Sequence, residues 1–140
     1  MSTQPRQIIN TQATQPMYDA YHFAQATRVG NTIWVSGQVG MDSAMNPGKG
    51  MEDQARLAFE SLRSVLEAAG AKLADVVELV TFHTDLRGDM REFSKVKDAF
   101  FTERYPSWTA VGVTQLALPE FCVEIRAVAV AGSGTGAITK

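Results

Sequence analysis

The pattern of apolar positions in residues 51–70 predicts an amphipathic helix. Apolar side chains recur there every three or four residues, which places them along one face of a helix. The stripe consists of Ala55, Ala58, Leu62, Val65, Leu66 and Ala69. Glu52 and Asp53 fall in the first turn, where the helix dipole favours negative charge, and Gly70 suits the C-terminal end. Such a helix needs an apolar surface to pack against.

A second amphipathic helix is predicted over residues 90–105. Gly88 and Asp89 precede it as a turn. Asp89 can cap the first backbone N–H groups, with Glu92 as the reciprocal partner three residues later. The apolar stripe of this helix consists of Phe93, Val96, Phe100 and Phe101. Since each predicted helix has a single apolar stripe, both can pack on one face of a sheet.

Runs rich in β-branched and aromatic residues predict five or six strands around these helices. The runs lie at residues 6–10, 21–29, 32–40, 75–86, 107–114 and 121–130, and the turn at residues 30–31 makes a hairpin of the second and third. The resulting order is β-β-β-α-β-α-β-β. It predicts an α+β fold or a two-layer α/β sandwich, with a mixed sheet of five or six strands and two helices on one face.

Several predicted strands are apolar on both faces, although two helices can cover only one face of the sheet. In residues 121–130 one face is wholly apolar, and the other is interrupted only by Glu124 and Arg126. Residues 107–114 are also apolar on both sides. Strands of this kind are normally buried on both sides, and an exposed apolar face marks an interface. The pattern therefore predicts a homo-oligomer that closes over the uncovered sheet face.

Length and composition favour one domain with little net charge. The chain has 140 residues, a net charge of −2 and a single cysteine, so no internal disulfide is expected. Lys and Arg are scattered, which disfavours nucleic-acid binding. No apolar run reaches the roughly 20 residues that span a bilayer, so no membrane association is expected. The N-terminus lacks the apolar segment of a signal peptide, which favours a cytoplasmic protein.

Domain boundaries follow from the same patterns. We interpret residues 1–19 as an N-terminal segment with a short strand and residues 20–130 as a single domain. Residues 131–140 are rich in glycine and small polar side chains and are predicted to form a flexible C-terminal tail.

Glu124 is a candidate functional residue because it is a carboxylate within an apolar strand. Burial of a carboxylate is costly unless the group is paired or functional. Arg126 lies two residues on, on the same strand face, and can pair with it; alternatively, Glu124 holds or activates a water at an interface cleft. Alternation places Ser36 and Gln38 on the face of their strand that carries Trp34. This second polar patch fits either a solvated strand face or a ligand site.

Trp108 is either a core residue or the wall of a pocket. Ala110 and Gly112 lie on the same strand face and leave room beside the ring, which favours the pocket wall. The two histidines are too few for a histidine-based metal site, so no metal is expected. His83 is interpreted as a hydrogen-bonded structural residue and Cys122 as a small core residue.

A set of segments in one order resembles the RidA/YjgF family over about residues 20–130. These segments are “VSGQVG”, “QARLAFESLRSVLEAAGAKLADVVELVTFHTDL”, “EFSKVKDAFF” and “VEIRAVAV”. The run “YPSWTAVGVTQLA” is most similar to the YjgH-type branch. The resemblance implies a chorismate-mutase-like fold and a homotrimer with three clefts between subunits. It also implies hydrolysis of enamines and imines such as 2-aminoacrylate without a cofactor, although some members were described as endoribonucleases, translation inhibitors or chaperone-like proteins.

The resemblance also implies a set of site residues. The family's cleft serine falls on Ser36 and its water-positioning glutamate on Glu124, and both match. Its carboxylate-binding arginine falls on Trp108, its cleft tyrosine on Phe23 and its helix asparagine on Lys97, which are departures. An arginine binds a carboxylate through two charge-assisted hydrogen bonds, whereas Trp has one N–H donor. We therefore expect affinity for small α-imino acids to be about ten- to a hundredfold lower.

Three hypotheses for the function follow. The first is a hydrolase that acts on an enamine, imine or related conjugated or aromatic metabolite. In it Glu124 positions or deprotonates water, Ser36 binds the ligand, Trp108 and Phe23 shape the pocket, and Lys97 supplies the missing positive charge. The second is a non-catalytic trimer that binds a small ligand. The third, a role in RNA cleavage or protein interaction, is disfavoured by the acidic balance.

Overall fold

Both predicted amphipathic helices pack on one face of a six-stranded sheet in the computed structural model, which describes residues 4–139. In chain order the elements are β1 (Arg6–Ile9), α1 (Gln15–Tyr21), β2 (Ala26–Val29), β3 (Thr32–Val39), α2 (Gly50–Ala68), a 3-10 turn (Leu73–Asp75), β4 (Val76–His83), α3 (Leu86–Phe100), β5 (Ser107–Gly112) and β6 (Val123–Val130). The strand order is β1-β2-β3-β6-β4-β5. β4 and β5 are parallel, and every other neighbouring pair is antiparallel. The predicted α+β sandwich with a mixed sheet is confirmed.

The core lies between the sheet and the two long helices. Phe59 at the middle of α2 is fully buried, and its ring lies 5.7 Å from that of Phe93 on α3. The largest fully buried apolar side chains come from both layers: Phe59, Phe93, Ile33, Leu62, Leu66, Leu79, Ile125 and Val123. The predicted α2 stripe is buried throughout, because its spacing matches the turn of the helix.

The predicted start of α3 is wrong. The helix begins at Leu86, so Asp89 lies in its first turn and Asp85 takes the cap position. Gly88 suggests a turn in the sequence, yet it lies inside the helix, and a Cβ at this position would collide with the carboxylate of Asp85. Gly88 therefore allows the Asp85 carboxylate to lie close to the helix backbone, and it does not form a turn. The helix also ends earlier than predicted, at Phe100.

The predicted strand over residues 21–29 is also only partly correct. Tyr21 ends the short helix α1, and His22 takes a left-handed backbone conformation with φ 63° before β2 begins at Ala26. Helix α1 has no buried residue, so no apolar stripe marks it in the sequence.

The described part of the C-terminal tail, residues 131–139, contacts the 3-10 turn. The backbone N–H of Gly134 donates to Asp75 Oδ1 at 2.8 Å, and Arg104 donates to the carbonyl of Gly136. A Cβ at Gly134 would collide with the backbone of Ala74, so this glycine permits the close approach. The Gly134–Asp75 contact joins positions 59 residues apart and the Arg104–Gly136 contact joins positions 32 residues apart. Neither contact has a signal in the tail's own composition. The flexibility of the tail stays a prediction.

The sheet face opposite the long helices carries exposed apolar side chains. Trp34 on β3 is 42% exposed and Val111 on β5 is 38% exposed. Val128 and Val130 on β6, the strand next to β3, are half-buried. The two-sided apolar pattern predicted for the strands is therefore present in the fold. Among residues 4–139, no helix is long and apolar enough to cross a membrane.

Candidate functional site

A β-bulge in β3 shapes the first part of the candidate site. The ladder between β3 and β6 shifts register between Val35 and Gln38, so the bulge lies at Ser36 and Gly37. An extra residue reverses the alternation of side chains beyond it. Gln38 is therefore buried on the helix side, where it accepts a hydrogen bond from Ser61 Oγ at 2.5 Å. The prediction that Gln38 shares a face with Ser36 is wrong for this reason.

Glu124 lies beside this bulge, on the open face of the sheet. It pairs with Val39 in the ladder, and a Cβ on Gly37 would lie 2.6 Å from its carboxyl carbon. The carboxylate therefore occupies the space above the backbone of Gly37. The side chain is half-buried, and this burial raises the pKa of the Glu124 carboxyl above its ordinary value. The pKa of Glu124 is therefore shifted from that of an exposed glutamate towards neutral pH.

The alternative in which Arg126 pairs with Glu124 has no support in the geometry. Within residues 4–139, none of the ion pairs includes either side chain. Arg126 instead lines a cavity of about 350 Å³ beside Ser36, together with Trp34 and Thr27. Glu124 is thus a partly desolvated carboxylate with no cation paired to it in the described chain.

Ser36 has its hydroxyl proton committed within the protein. Its Oγ donates to the carbonyl of Ala24 at 2.7 Å, and its backbone N–H donates to the carbonyl of Gln25 at 2.8 Å. A hydroxyl oxygen has two lone pairs, so Ser36 can still accept a hydrogen bond from a ligand. Phe23, which precedes Ala24, is 39% exposed. The hydrogen bond from Ser36 to Ala24 connects the segment that carries Phe23 to the bulge of β3.

Trp108 lies on the other face of the sheet, at its edge. β5 pairs with β4 so that Trp108 stands beside Leu79, whose side chain is buried under the helices. Its Nε1–H donates to Thr81 Oγ1 at 3.0 Å, and its ring centroid lies 6.0 Å from that of Phe93. The ring is still 37% exposed. Trp108 is therefore a residue of the sheet edge that is anchored through its indole N–H, and its predicted role as the wall of a pocket stays a prediction.

Lys97 covers part of this exposed ring. Its Nζ lies 4.6 Å from the ring centroid of Trp108, which is a cation–π geometry. The side chain is only 14% exposed, and Nζ lies 3.1 Å from Oδ1 of the exposed Asp98. The sequence associates Lys97 with Trp108 only through the family resemblance, since the two residues belong to different elements.

The five predicted site residues thus form two groups in one chain. Glu124, Ser36 and Phe23 lie around the bulge of β3, whereas Trp108 lies on the edge strand β5 and Lys97 lies over its ring from α3. The register of β5 on β4 and of β6 on β3 places these groups on opposite faces of the sheet. One chain does not bring all five into one pocket, and their joint role in a site stays a prediction.

Two buried polar residues behind Trp108 were not predicted as part of a site. Thr81 and His83 are fully buried, and His83 Nε2 lies 2.8 Å from Thr81 Oγ1. Burial lowers the pKa of the His83 imidazole, so the ring is neutral at pH 7. This agrees with a structural His83. In the sequence, Thr81 could be recognised as a polar side chain at a core position of β4.

The remaining candidate groups are potential metal ligands and the thiol of Cys122. Among residues 4–139 no group of three or more His, Cys, Asp or Glu side chains is placed to hold a metal ion. Burial, with a smaller contribution from Asp89, raises the pKa of the Cys122 thiol to about 11. Cys122 is therefore a protonated thiol at neutral pH, as a small core residue would be.

These features define a small α+β protein with an antiparallel-parallel mixed sheet, two covering helices and a carboxylate on its open face. The endoribonuclease L-PSP family model matches residues 13–131. The chain therefore belongs to this family, which is the RidA/YjgF family. The match includes α1 and all strands except β1.

Individual relatives agree with this assignment. The chain is 39% identical over 112 residues to the RutC family protein YjgH of Escherichia coli K12, covering 79% of this chain and 86% of that protein. It is 36% identical over 115 residues to a 2-iminobutanoate/2-iminopropanoate deaminase of Dermatophagoides farinae, covering 80% and 87%. The crystal structure of RidA from an Antarctic Psychrobacter superposes with a TM-score of 0.80 at 36% identity, covering 89% of this chain and 98% of that chain.

Proposed function

We propose that the protein is a homotrimeric hydrolase of the imine or enamine deaminase type. Its substrate is a small conjugated or aromatic metabolite, bound in a cleft between subunits. The observation that carries the proposal is Glu124, an unpaired, half-buried carboxylate whose pKa is raised by burial. A deaminase of Dermatophagoides farinae that is 36% identical to the chain supports the reaction type.

Glu124 acts as the general base and acid in this proposal. Its carboxylate takes a proton from water as the oxygen attacks the carbon of the protonated imine, which gives a neutral carbinolamine. The carboxylic acid then protonates the nitrogen; as the C–N bond breaks, the carboxylate takes the hydroxyl proton, and a carbonyl compound and ammonia leave. The ammonia or solvent finally removes the proton from Glu124. A carboxyl with a raised pKa suits both steps, because proton transfer is most effective when the pKa approaches the working pH. Ser36 Oγ accepts a hydrogen bond from the substrate N–H.

The homotrimer is proposed because the open sheet face is apolar and bears the carboxylate. Burial of Trp34 and Val111 between subunits would remove an exposed patch that soluble monomers rarely carry. Closure of this face would also enclose Glu124 and strengthen electrostatic interactions at it. Sedimentation at micromolar concentration tests the assembly, and a stable monomer overturns it.

The hydrolase is tested with a panel of freshly generated imines. We expect Glu124→Gln to lower kcat at least about a hundredfold, since a positioned acid–base group contributes that much or more. Glu67→Gln, at an exposed position of α2, is the matched control and should keep the wild-type rate. Equal turnover by the wild type and Glu124→Gln removes Glu124 from the mechanism.

A second function, a ligand-binding trimer without catalysis, is favoured by one observation. The only polar hydrogen of the Trp108 side chain is donated to Thr81, so this position offers no bidentate donor for a carboxylate. Thermal stabilisation by a metabolite without its turnover supports this function. The absence of any shift across a broad panel argues against it. RNA cleavage is not proposed, because the net charge of −2 opposes binding of a polyanion.

A further inference from the structure

A chain of hydrogen bonds runs through the protein interior from helix α2 to the bulge of β3. Ser61 Oγ on α2 donates to Gln38 Oε1 at 2.5 Å. Gln38 Nε2 donates to Gln25 Oε1 and to the carbonyl oxygen of Ser36, both at 3.1 Å. Gln25 is 5% exposed and Gln38 is 4% exposed, so burial of their amides requires hydrogen-bond partners. The Gln38 amide has a partner for its oxygen and for both of its N–H groups.

The carbonyl of Ser36 fixes the direction of every hydrogen bond in this chain. A carbonyl oxygen can only accept, so the Gln38 atom that faces it must be the nitrogen. The Gln38 oxygen then faces Ser61, which must donate its hydroxyl proton, and Gln25 must present its own oxygen. A flipped Gln38 amide would set its oxygen against the Ser36 carbonyl and leave buried acceptors unpaired, which is costly. The hydrogen bonds therefore form one defined arrangement.

This arrangement holds the backbone of Ser36 at the point where the bulge interrupts the sheet. The register shift leaves Ser36 and Gly37 without a paired residue on β6. Gln38 binds the Ser36 carbonyl instead, and the Ser36 N–H donates to the carbonyl of Gln25 at 2.8 Å. The Ser36 hydroxyl donates to the carbonyl of Ala24 at 2.7 Å. The half-buried side chain of Ser36 therefore presents to a ligand an acceptor oxygen in a fixed position.

We propose that Gln38 is a positioning residue for Ser36 and that Gln25 and Ser61 act with it. Gln38 contacts no ligand in this assignment, because its side chain is buried on the helix side of the sheet. It fixes the place of the Ser36 hydroxyl oxygen, and thereby the affinity for a ligand that offers an N–H group there. The hydrogen bonds join α2, β3 and the residue before β2, so they fasten the binding oxygen to the core. The inference rests on the proposed function in regarding this ligand as an imine substrate.

Hydrogen exchange measured by NMR tests this support without any substrate. Gln38→Met keeps the length of the side chain and removes its polar atoms. We expect the Ser36 amide to exchange about tenfold faster or more, relative to the amide of Leu62, a buried residue within α2 that reports global unfolding. Gln54→Met is the matched control, since Gln54 is 2% exposed and its amide binds loop backbone groups rather than Ser36. In Gln54→Met the ratio of the two exchange rates should keep its wild-type value.

Imine kinetics test whether the support serves the ligand. Gln38→Met should raise KM severalfold and change kcat by less than about twofold, because Ser36 contributes one hydrogen bond to binding. In a Ser36→Ala background the same substitution should have no further effect on KM, since the oxygen that it positions is absent. Gln54→Met should change KM equally in both backgrounds. Ser61→Ala removes only the outermost donor and should show the Gln38→Met effects at smaller size; it takes the place of Gln38→Met if that variant does not fold.

Three results overturn the assignment. They are an unchanged exchange ratio in Gln38→Met, an equal rise of that ratio in Gln54→Met, and a KM increase of the same size with and without the Ser36 hydroxyl. The two measurements together separate this inference from the hydrolase. Imine turnover with an unchanged exchange ratio in Gln38→Met refutes the role of Gln38 and leaves the hydrolase standing. Exchange at Ser36 that depends on Gln38, without turnover of any imine by the wild type, refutes the hydrolase alone.

Discussion

Gly37→Ala displaces the Glu124 carboxylate without removing it, and so tests the role of its position. The carboxylate of Glu124 occupies the space above the Gly37 backbone at the bulge of β3. A Cβ built on Gly37 would lie 2.6 Å from both the carboxyl carbon and Oε2. Gly37 does not have a positive φ, so alanine fits its backbone conformation without strain.

The expected displacement follows from these distances. Carbon atoms in contact prefer a separation of about 3.5–4.0 Å, so the carboxylate must move by about 1 Å. A misplacement of this size can lower a catalytic rate about a hundredfold. The moving atoms are the far end of a side chain that is only half-buried, so stability should change little. We expect the Tm to shift by less than about 4 °C.

The assay is the kcat for imine hydrolysis, with Gly37→Ala measured alone and combined with Glu124→Gln. Gly37→Ala should lower kcat in the wild-type background and have little further effect when Glu124 is already glutamine, because the two changes act on one group. Circular dichroism and the Tm establish that the fold is retained. A wild-type rate in Gly37→Ala, or an equal loss in both backgrounds, refutes the reasoning.

Three further predictions concern pH, the thiol and the core. Because burial raises the folded pKa of Glu124, ionisation destabilises the native state as pH rises from the ordinary value of 4.5 through the folded value. Glu124→Gln should therefore have a higher Tm than the wild type at pH 7, and the difference should vanish below pH 4.5; the opposite sign would contradict the burial argument. The Cys122 thiol, with its pKa raised to about 11 from 9.0, should hold about a hundredfold less thiolate at pH 8 than the unfolded chain and react correspondingly slowly with a disulfide reagent. Equal rates in the folded and unfolded protein would contradict this. Phe59→Ala should lower the free energy of unfolding by about 3–5 kcal/mol in urea titration, because the ring is fully buried, whereas Met45→Ala, at a position 64% exposed, should change it by less than about 0.5 kcal/mol. A small effect of Phe59→Ala would mean that the core refills the cavity.

Local periodicity was sufficient to predict most of the fold. The α2 stripe and the alternating faces of β6 were predicted correctly, because spacing along one element decides which of its side chains can be buried. The start of α3 was predicted wrongly, because glycine is a residue typical of turns. Gly88 instead lies inside the helix, where the carboxylate of Asp85 approaches it closely. Helix α1 was missed, because a helix with no buried side chain leaves no periodic signal.

The candidate site was predicted in its residue types and not in its geometry. Glu124 stands out in the sequence because a carboxylate in an apolar strand requires an explanation. Its position above Gly37 depends on the bulge in β3, which is a property of the pairing between two strands far apart in the chain. The same bulge moves Gln38 to the core, against simple alternation.

The sequence by itself determined the two amphipathic helices, the two-faced apolar strands and the presence of a lone carboxylate among them, because these are properties of neighbouring residues. Only the tertiary structure decided that Trp108 donates its N–H to Thr81 and that Lys97 lies on its ring. Those contacts join α3, β4 and β5. They arise from strand register and helix packing, which bring together residues whose own segments contain no information about each other.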